Sequence, residues 1–204
     1  MSQPNRKSIP VRNLTVTAVL SAVAFVLMFL SFPIPALIPS FIKMDVSDFP
    51  ALLGAFALGP VYGVVIELLK NLLYLLIKGT SSAFAGQISN FLLGAVFVLV
   101  AGILYQRKKD LKHALIGSFL GAATMAIISI PVNYFIVYPT YEVAYGMPMD
   151  AIVSMYKAIL PSADSLIKCL IIFNLPFTLV KGLLDVLICR VIYKPLSPVL
   201  HGRK

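Results

Sequence analysis

The chain has 204 residues, of which 59% are hydrophobic and 12% are charged, and its formal net charge is +9. A soluble globular domain usually carries about 25% charged residues, and a single core in a chain of this size would leave much apolar surface in water. This composition excludes an ordinary soluble domain. It indicates an all-α integral membrane protein in which residues 1–204 form a single membrane-embedded domain.

Four apolar runs are long enough to cross a bilayer, which takes about 20 residues. They cover residues 14–32, 86–105, 114–137 and 166–193. A fifth run, residues 49–77, is too long for one span and short for two, and it contains Gly59-Pro60. Because proline lacks an N–H and disfavours helix in the residue before it, we predict that this run breaks there.

The basic residues indicate how often the fifth run crosses. Most of them lie in three clusters, which are Arg6, Lys7 and Arg12; Arg107, Lys108, Lys109 and Lys112; and Arg190, Lys194, Arg203 and Lys204. One crossing would put the second and third clusters outside, whereas two crossings put all three in the cytoplasm. Because Lys and Arg are enriched in cytoplasmic segments, we predict a six-transmembrane-helix bundle with cytoplasmic N- and C-termini.

Three segments face outside in this topology, residues 33–48, 78–85 and 138–165. The last of them is rich in tyrosine, with Tyr138, Tyr141, Tyr145 and Tyr156. Two interpretations stay open for these side chains. They form an aromatic belt at the membrane interface, or they cover a site.

Four asparagines fall in the outer half of four different predicted helices. They are Asn71, Asn90, Asn133 and Asn174. Polar groups within a span are costly and usually face the bundle interior or a cavity. Since an amide offers donors and acceptors without net charge, several at one depth suit a neutral ligand with many hydrogen-bonding edges. The alternative is that each amide bonds a neighbouring helix and only stabilises packing.

Charged residues also lie inside the predicted spans. Glu67 and Lys70 are three apart on one helix, and Lys181 and Asp185 are four apart on another. Each pair shares a helix face, so we expect two internal ion pairs. The two lysines lie nearer the asparagine layer and can also donate to carbonyl groups of a ligand.

Small residues on the first span mark a face that permits close approach of another helix. Ala18 and Ala22 form a small-xxx-small pair, which serves either internal packing or a surface for a partner protein.

No motif for ATP hydrolysis, zinc proteolysis or serine hydrolysis is present, so we expect no enzyme, no catalytic residue and no resident cofactor or metal. Asp45 and Asp48 are a close acidic pair at the membrane surface. They keep open a small membrane enzyme that acts on a lipid or isoprenoid substrate with a metal ion.

The stretch 44–60, MDVSDFPALLGAFALGP, resembles the substrate-binding (S) components of energy-coupling factor (ECF) transporters. Four further segments are similar to the riboflavin-specific (RibU) branch of that family. They are the basic N-terminus, Ala18-x-x-x-Ala22, residues 66–71 (IELLKN) and residues 174–182 (NLPFTLVKG). The resemblance extends over essentially the whole chain.

The resemblance implies a six-helix bundle that binds riboflavin near its outer face, in the plasma membrane of a prokaryote. It also implies docking through Ala18 and Ala22 on a transmembrane coupling subunit, which two cytoplasmic ATPases drive. Riboflavin is neutral, whereas thiamin is a cation and folate, biotin and pantothenate are anions, so uncharged amides with lysine donors fit riboflavin best. An S component for another vitamin remains the alternative.

The candidate ligand-binding residues combine this motif with the polar residues of the outer half and the tyrosine-rich segment. They are Met44, Asp45, Lys70, Asn71, Asn90, Asn133, Tyr141, Asn174 and Lys181. The candidate partner-docking residues are Ala18 and Ala22.

Overall fold

The computed structural model describes the backbone of residues 11–201 and the side chains of residues 11–192, so Arg6, Lys7, Arg203 and Lys204 lie outside the described residues. The helices are α1 (Val11–Phe29), α2 (Phe49–Ala57), α3 (Pro60–Lys78), α4 (Ala85–Arg107), α5 (Leu111–Val132), α6 (Tyr138–Tyr145), α7 (Met149–Lys157), α8 (Leu166–Cys169) and α9 (Leu175–His201). Two π-helical turns, Asn133–Val137 and Leu170–Asn174, join α5 to α6 and α8 to α9. Strands β1 (Phe32–Pro33) and β2 (Lys43–Met44) form an antiparallel hairpin with Phe32 opposite Met44.

Five helical segments among the described residues are long and apolar enough to cross a membrane. They are Val11–Phe29, Pro60–Lys78, Ala85–Arg107, Leu111–Tyr145 and Leu166–Ile192. The predicted integral membrane helical fold is confirmed at this level. The remaining predicted span is α2, whose nine residues extend only about 14 Å against a hydrocarbon thickness of about 30 Å.

One helix extends beyond its predicted apolar run. The run 114–137 ends at Val137, whereas the helix continues through the first π turn and α6 to Tyr145. The widened turn at Asn133–Val137 changes the helical register, and Pro139 follows it near the start of α6. Part of the tyrosine-rich segment therefore extends the membrane helix.

The break in the fifth apolar run lies at Gly59-Pro60, as predicted. Gly59 has a φ of +121°, which side-chain-bearing residues rarely adopt, and Pro60 is the first residue of α3. Proline is favoured there because the first N–H groups of a helix have no intrahelical partner. The break lets α2 and α3 point in different directions.

Helices α1 and α3 run in the same direction. Near their first residues, Asn13 Nδ2 donates to the hydroxyl of Tyr62 over 3.2 Å. Near their last residues, the Lys78 ammonium lies 4.5 Å from the centre of the Phe29 ring. The β1–β2 hairpin and α2 therefore return the chain from one end of the bundle to the other.

Glycines allow α5 to pack closely on α4. A Cβ atom on Gly121 would lie 2.6 Å from the carbonyl oxygen of Phe97, and one on Gly117 would lie 2.8 Å from that of Ala101. Ala18 and Ala22 differ, because both lie on the exposed face of α1. Internal packing is therefore not the role of the alanine pair within this chain.

Candidate ligand-binding site

A cavity of about 260 Å³ lies at the end of the bundle where α3 ends and α4 begins. Its lining includes apolar side chains from several elements, namely Met28, Phe41, Ile42, Leu93, Val137 and Phe177. Six of the predicted ligand-binding residues also line it, namely Asp45, Asn90, Asn133, Tyr141, Asn174 and Lys181. Apolar walls with a few placed polar groups are typical of small-molecule sites.

Three of the four asparagines thus face one cavity, and the fourth lies behind them. Asn71 Nδ2 donates to Asn90 Oδ1 over 3.2 Å and to the carbonyl of Glu67 over 2.9 Å. Asn133 Nδ2 donates to the carbonyl of Ser129 over 2.7 Å. These bonds fix part of each amide and orient Asn90 from behind.

The segment that carries Asp45 and Asp48 is bound to two helices by buried ion pairs. Lys181 Nζ of α9 lies 3.2 Å from Asp45 Oδ2 and 3.4 Å from Asp48 Oδ2. Lys70 Nζ of α3 contacts Asp48 Oδ1 and lies 2.7 Å from Glu67 Oε2. Because lysines neutralise both aspartates, this pair is poorly suited to the metal-dependent enzyme considered from the sequence.

The expected pair between Glu67 and Lys70 is present, whereas Asp185 has a different partner from the one expected. Asp185 Oδ1 accepts the backbone N–H of Phe49 over 3.0 Å. That N–H belongs to the first turn of α2 and has no intrahelical acceptor, so the carboxylate satisfies it. Lys181 consequently reaches the 45–48 segment instead of pairing with Asp185 on its own helix.

Three predicted ligand-binding residues lie outside the cavity lining. Met44 is buried in β2, Lys70 is fully buried, and Asn71 lies behind Asn90. The ammonium of Lys70 is already engaged with Asp48, Glu67 and the hydroxyl of Ser47. The structure therefore places these residues where they support the lining.

Sequence reasoning did not identify Gln87, which lines the cavity near the start of α4. Its Oε1 accepts hydrogen bonds from the hydroxyls of Thr80, over 3.1 Å, and Ser82, over 3.3 Å. The two protein hydroxyls therefore engage the acceptor oxygen of the Gln87 amide, and the same amide carries two N–H donors. The segment before α4 is rich in hydroxyl side chains, and this sequence pattern could have indicated Gln87 as a site residue.

Three of the four tyrosines in the tyrosine-rich segment face inward. Tyr138 and Tyr156 are fully buried, Tyr141 lines the cavity, and Tyr145 is 51% exposed. The Tyr156 hydroxyl donates to Asn174 Oδ1 over 2.6 Å. Burial raises the pKa of Tyr156 above its usual value, so the hydroxyl keeps the proton that it donates. This arrangement favours the covering role over a uniform interfacial belt.

The helices and the cavity together define a multi-pass membrane protein with an internal cavity. The family model for the ECF transporter, substrate-specific component, matches residues 12–193. The chain therefore belongs to the substrate-specific components of ECF transporters, which are transport proteins and not enzymes. The family predicted from the 44–60 motif is confirmed.

Similar proteins agree with this assignment. Riboflavin transporter FmnP of Bacillus subtilis (strain 168) is 32% identical over 196 residues, which cover 95% of this chain and 96% of that protein. Riboflavin transporter RibU of Staphylococcus aureus (strain TCH60) is 34% identical over 91% of this chain and 90% of that protein. A solved structure titled "Structure and mechanism of the S component of a bacterial ECF transporter" is 32% identical with a TM-score of 0.71, over 94% of this chain and 99% of that one.

Proposed function

We propose that this chain is the riboflavin-binding S component of an ECF-type vitamin importer. The observation that carries the proposal is the set of uncharged amides around one cavity, from Asn90, Asn133, Asn174 and Gln87. The relatives described above, which match nearly the whole chain, are riboflavin transporters. The flavin ring has a uracil-like edge and its tail carries hydroxyls, so amides can pair with both.

The charges of the site argue against a cationic ligand. Lys181 lines the cavity beside Asp45 and Asp48, and Lys70 also pairs with Asp48, so two lysines face the two aspartates. An ammonium has three N–H groups, so Lys181 retains a donor for a ligand carbonyl after contacting both aspartates. The aspartates of the lining are therefore paired and offer no free carboxylate to a cationic vitamin, and the other charged side chain of the lining is Lys43.

We infer that the chain crosses the plasma membrane of a prokaryote six times, with both termini in the cytoplasm. The parallel directions of α1 and α3 support this topology, because the chain must return between them. In the second crossing in chain order, α2 is short and the hairpin segment completes the passage. A short helix is tolerated in a membrane where protein covers its ends, and Asp185 does so at Phe49.

The proposed partner is a transmembrane coupling subunit that two cytoplasmic ATPases drive. Ala18 and Ala22 support this interaction, because they form a small-residue strip on the exposed face of α1. The sequence carries no ATP-binding loop, so energy for uphill uptake has to come from a partner or an ion gradient, and membership of the ECF family favours the partner.

A competition experiment tests the ligand. Purified protein saturated with riboflavin is challenged with thiamin, biotin, folate and pantothenate, and riboflavin fluorescence reports displacement. We expect riboflavin to stay bound, and we expect Asn174→Ala and Lys181→Ala to weaken binding without unfolding the protein. Displacement by a different vitamin at a concentration below that of the riboflavin present would reassign the ligand.

A further inference from the structure

Asn174 reaches the cavity from the end of the second π turn, and a closed ring of hydrogen bonds holds its amide from behind. Tyr156 donates to Asn174 Oδ1 over 2.6 Å, and Asn174 Nδ2 donates to the Tyr138 oxygen over 3.1 Å. The two tyrosine oxygens are 2.6 Å apart. Because the only proton of Tyr156 is directed at Asn174, Tyr138 must donate to Tyr156, and each member donates once and accepts once.

This ring restricts the amide of Asn174. An amide has two N–H donors and two acceptor lone pairs, so the ring uses one of each and leaves one of each for the cavity. The amide can turn over only if both tyrosine hydroxyls reverse their protons with it. Tyr138 and Tyr156 are 0% exposed and neither lines the cavity, so they act on a ligand only through another residue.

The ring also joins three separate parts of the chain. Tyr156 comes from α7, Tyr138 begins α6 directly after the first π turn, and Asn174 closes the second π turn. Such π turns are frequent at functional sites, and here each of them contains an asparagine that lines the cavity. The ring therefore links α7 by hydrogen bonds to an amide that lines the cavity.

We propose that Tyr156 is a positioning residue, which acts through Asn174 to fix the edge of the amide that meets the ligand. The inference rests on the proposed function, because riboflavin is the probe. In Tyr156→Phe the aromatic ring, which packs 5.2 Å from the ring of Phe173, is kept while the hydroxyl is lost. Asn174 Oδ1 then lacks its donor and the amide is free to turn.

Two double-mutant cycles test the inference by riboflavin fluorescence quenching. Tyr156→Phe should weaken riboflavin binding about 5- to 10-fold, the equivalent of one hydrogen bond. The same change in the Asn174→Ala background should cost less than about twofold, because the residue through which it acts is absent. Equal losses in both backgrounds, or no loss in either, would overturn the proposal.

The second cycle, Tyr138→Phe with Tyr156→Phe, stays measurable if Asn174→Ala binds too weakly. Opening a ring at one place or at two should have nearly the same effect, so the double variant should bind about as well as the weaker single one. If the losses of riboflavin affinity in the two single variants were fully additive in the double variant, the proposed role of the hydrogen-bonded ring would be overturned. Tyr134→Phe, at a partly exposed position in the first π turn, is the matched control. Absence of riboflavin binding by the unmodified protein would instead refute the proposed function.

Discussion

Replacing Lys70 with methionine should strongly destabilise the fold, although Lys70 does not line the cavity. Its ammonium is fully buried between Asp48 and Glu67, both of which are also buried. Methionine preserves most of the volume but removes the charge. Two buried carboxylates then lose their common partner, and Asp48 keeps the more distant Lys181, at 3.4 Å.

Removal of one member of a buried ion pair usually costs about 3–5 kcal/mol, because the remaining charge stays buried. We expect a loss of this order for Lys70→Met, measured without ligand by titrating SDS into mixed micelles and comparing unfolding midpoints. Lys168→Met is the matched control, since Lys168 forms a 2.7 Å pair with Asp164 that is more than half exposed. Exposed pairs contribute little, so the control should unfold near the original midpoint.

A second variant separates charge from packing. In Lys70→Met with Glu67→Gln, one of the two carboxylates that lost Lys70 is removed, so part of the lost stability should return. If Lys70→Met unfolds at the same midpoint as Lys168→Met, the buried cluster does not hold the 45–48 segment in place, and the reasoning is refuted.

Two further predictions concern the partner surface and the cavity. Ala18→Leu with Ala22→Leu should abolish riboflavin uptake by cells that contain the coupling module, while the purified variant binds riboflavin normally; impaired binding would place the pair inside the bundle instead. Gln87→Ala should weaken riboflavin binding about 3- to 10-fold, the equivalent of one lost hydrogen bond. In that titration Gln106→Ala, at the opposite end of α4, is the control, and equal affinities for the two variants would remove Gln87 from the site.

The long apolar runs made the membrane fold predictable, and the fixed rise of a helix made the depth of the asparagines predictable. The predicted depth was enough to group these side chains, and Asn90, Asn133 and Asn174 line one cavity in the structure. The continuation of α5 through the first π turn was not predictable. A π turn contains one more residue than an α-helical turn, and it produces no distinctive apolar pattern in the sequence. The first span was placed within a few residues of α1.

The partners of the buried charges were harder to predict, since spacing along one helix reports only local pairs. Lys70 and Glu67 form such a pair, whereas Asp185 bonds the N–H of Phe49, which is 136 positions away. Long-range contacts of this kind depend on how α2 meets α9. Gln87 was missed for a different reason. Polar residues near the start of a helix are common, and most of them contact water.

The central claim is that the amide-lined cavity binds riboflavin, and a stoichiometric fluorescence titration of the purified chain tests it most directly. The account predicts that riboflavin fluorescence is quenched until one flavin is bound per chain, and that Asn174→Ala shifts the curve to higher flavin concentration while Tyr134→Phe does not. A folded, unmodified chain that leaves riboflavin fluorescence unchanged at micromolar concentrations would contradict it.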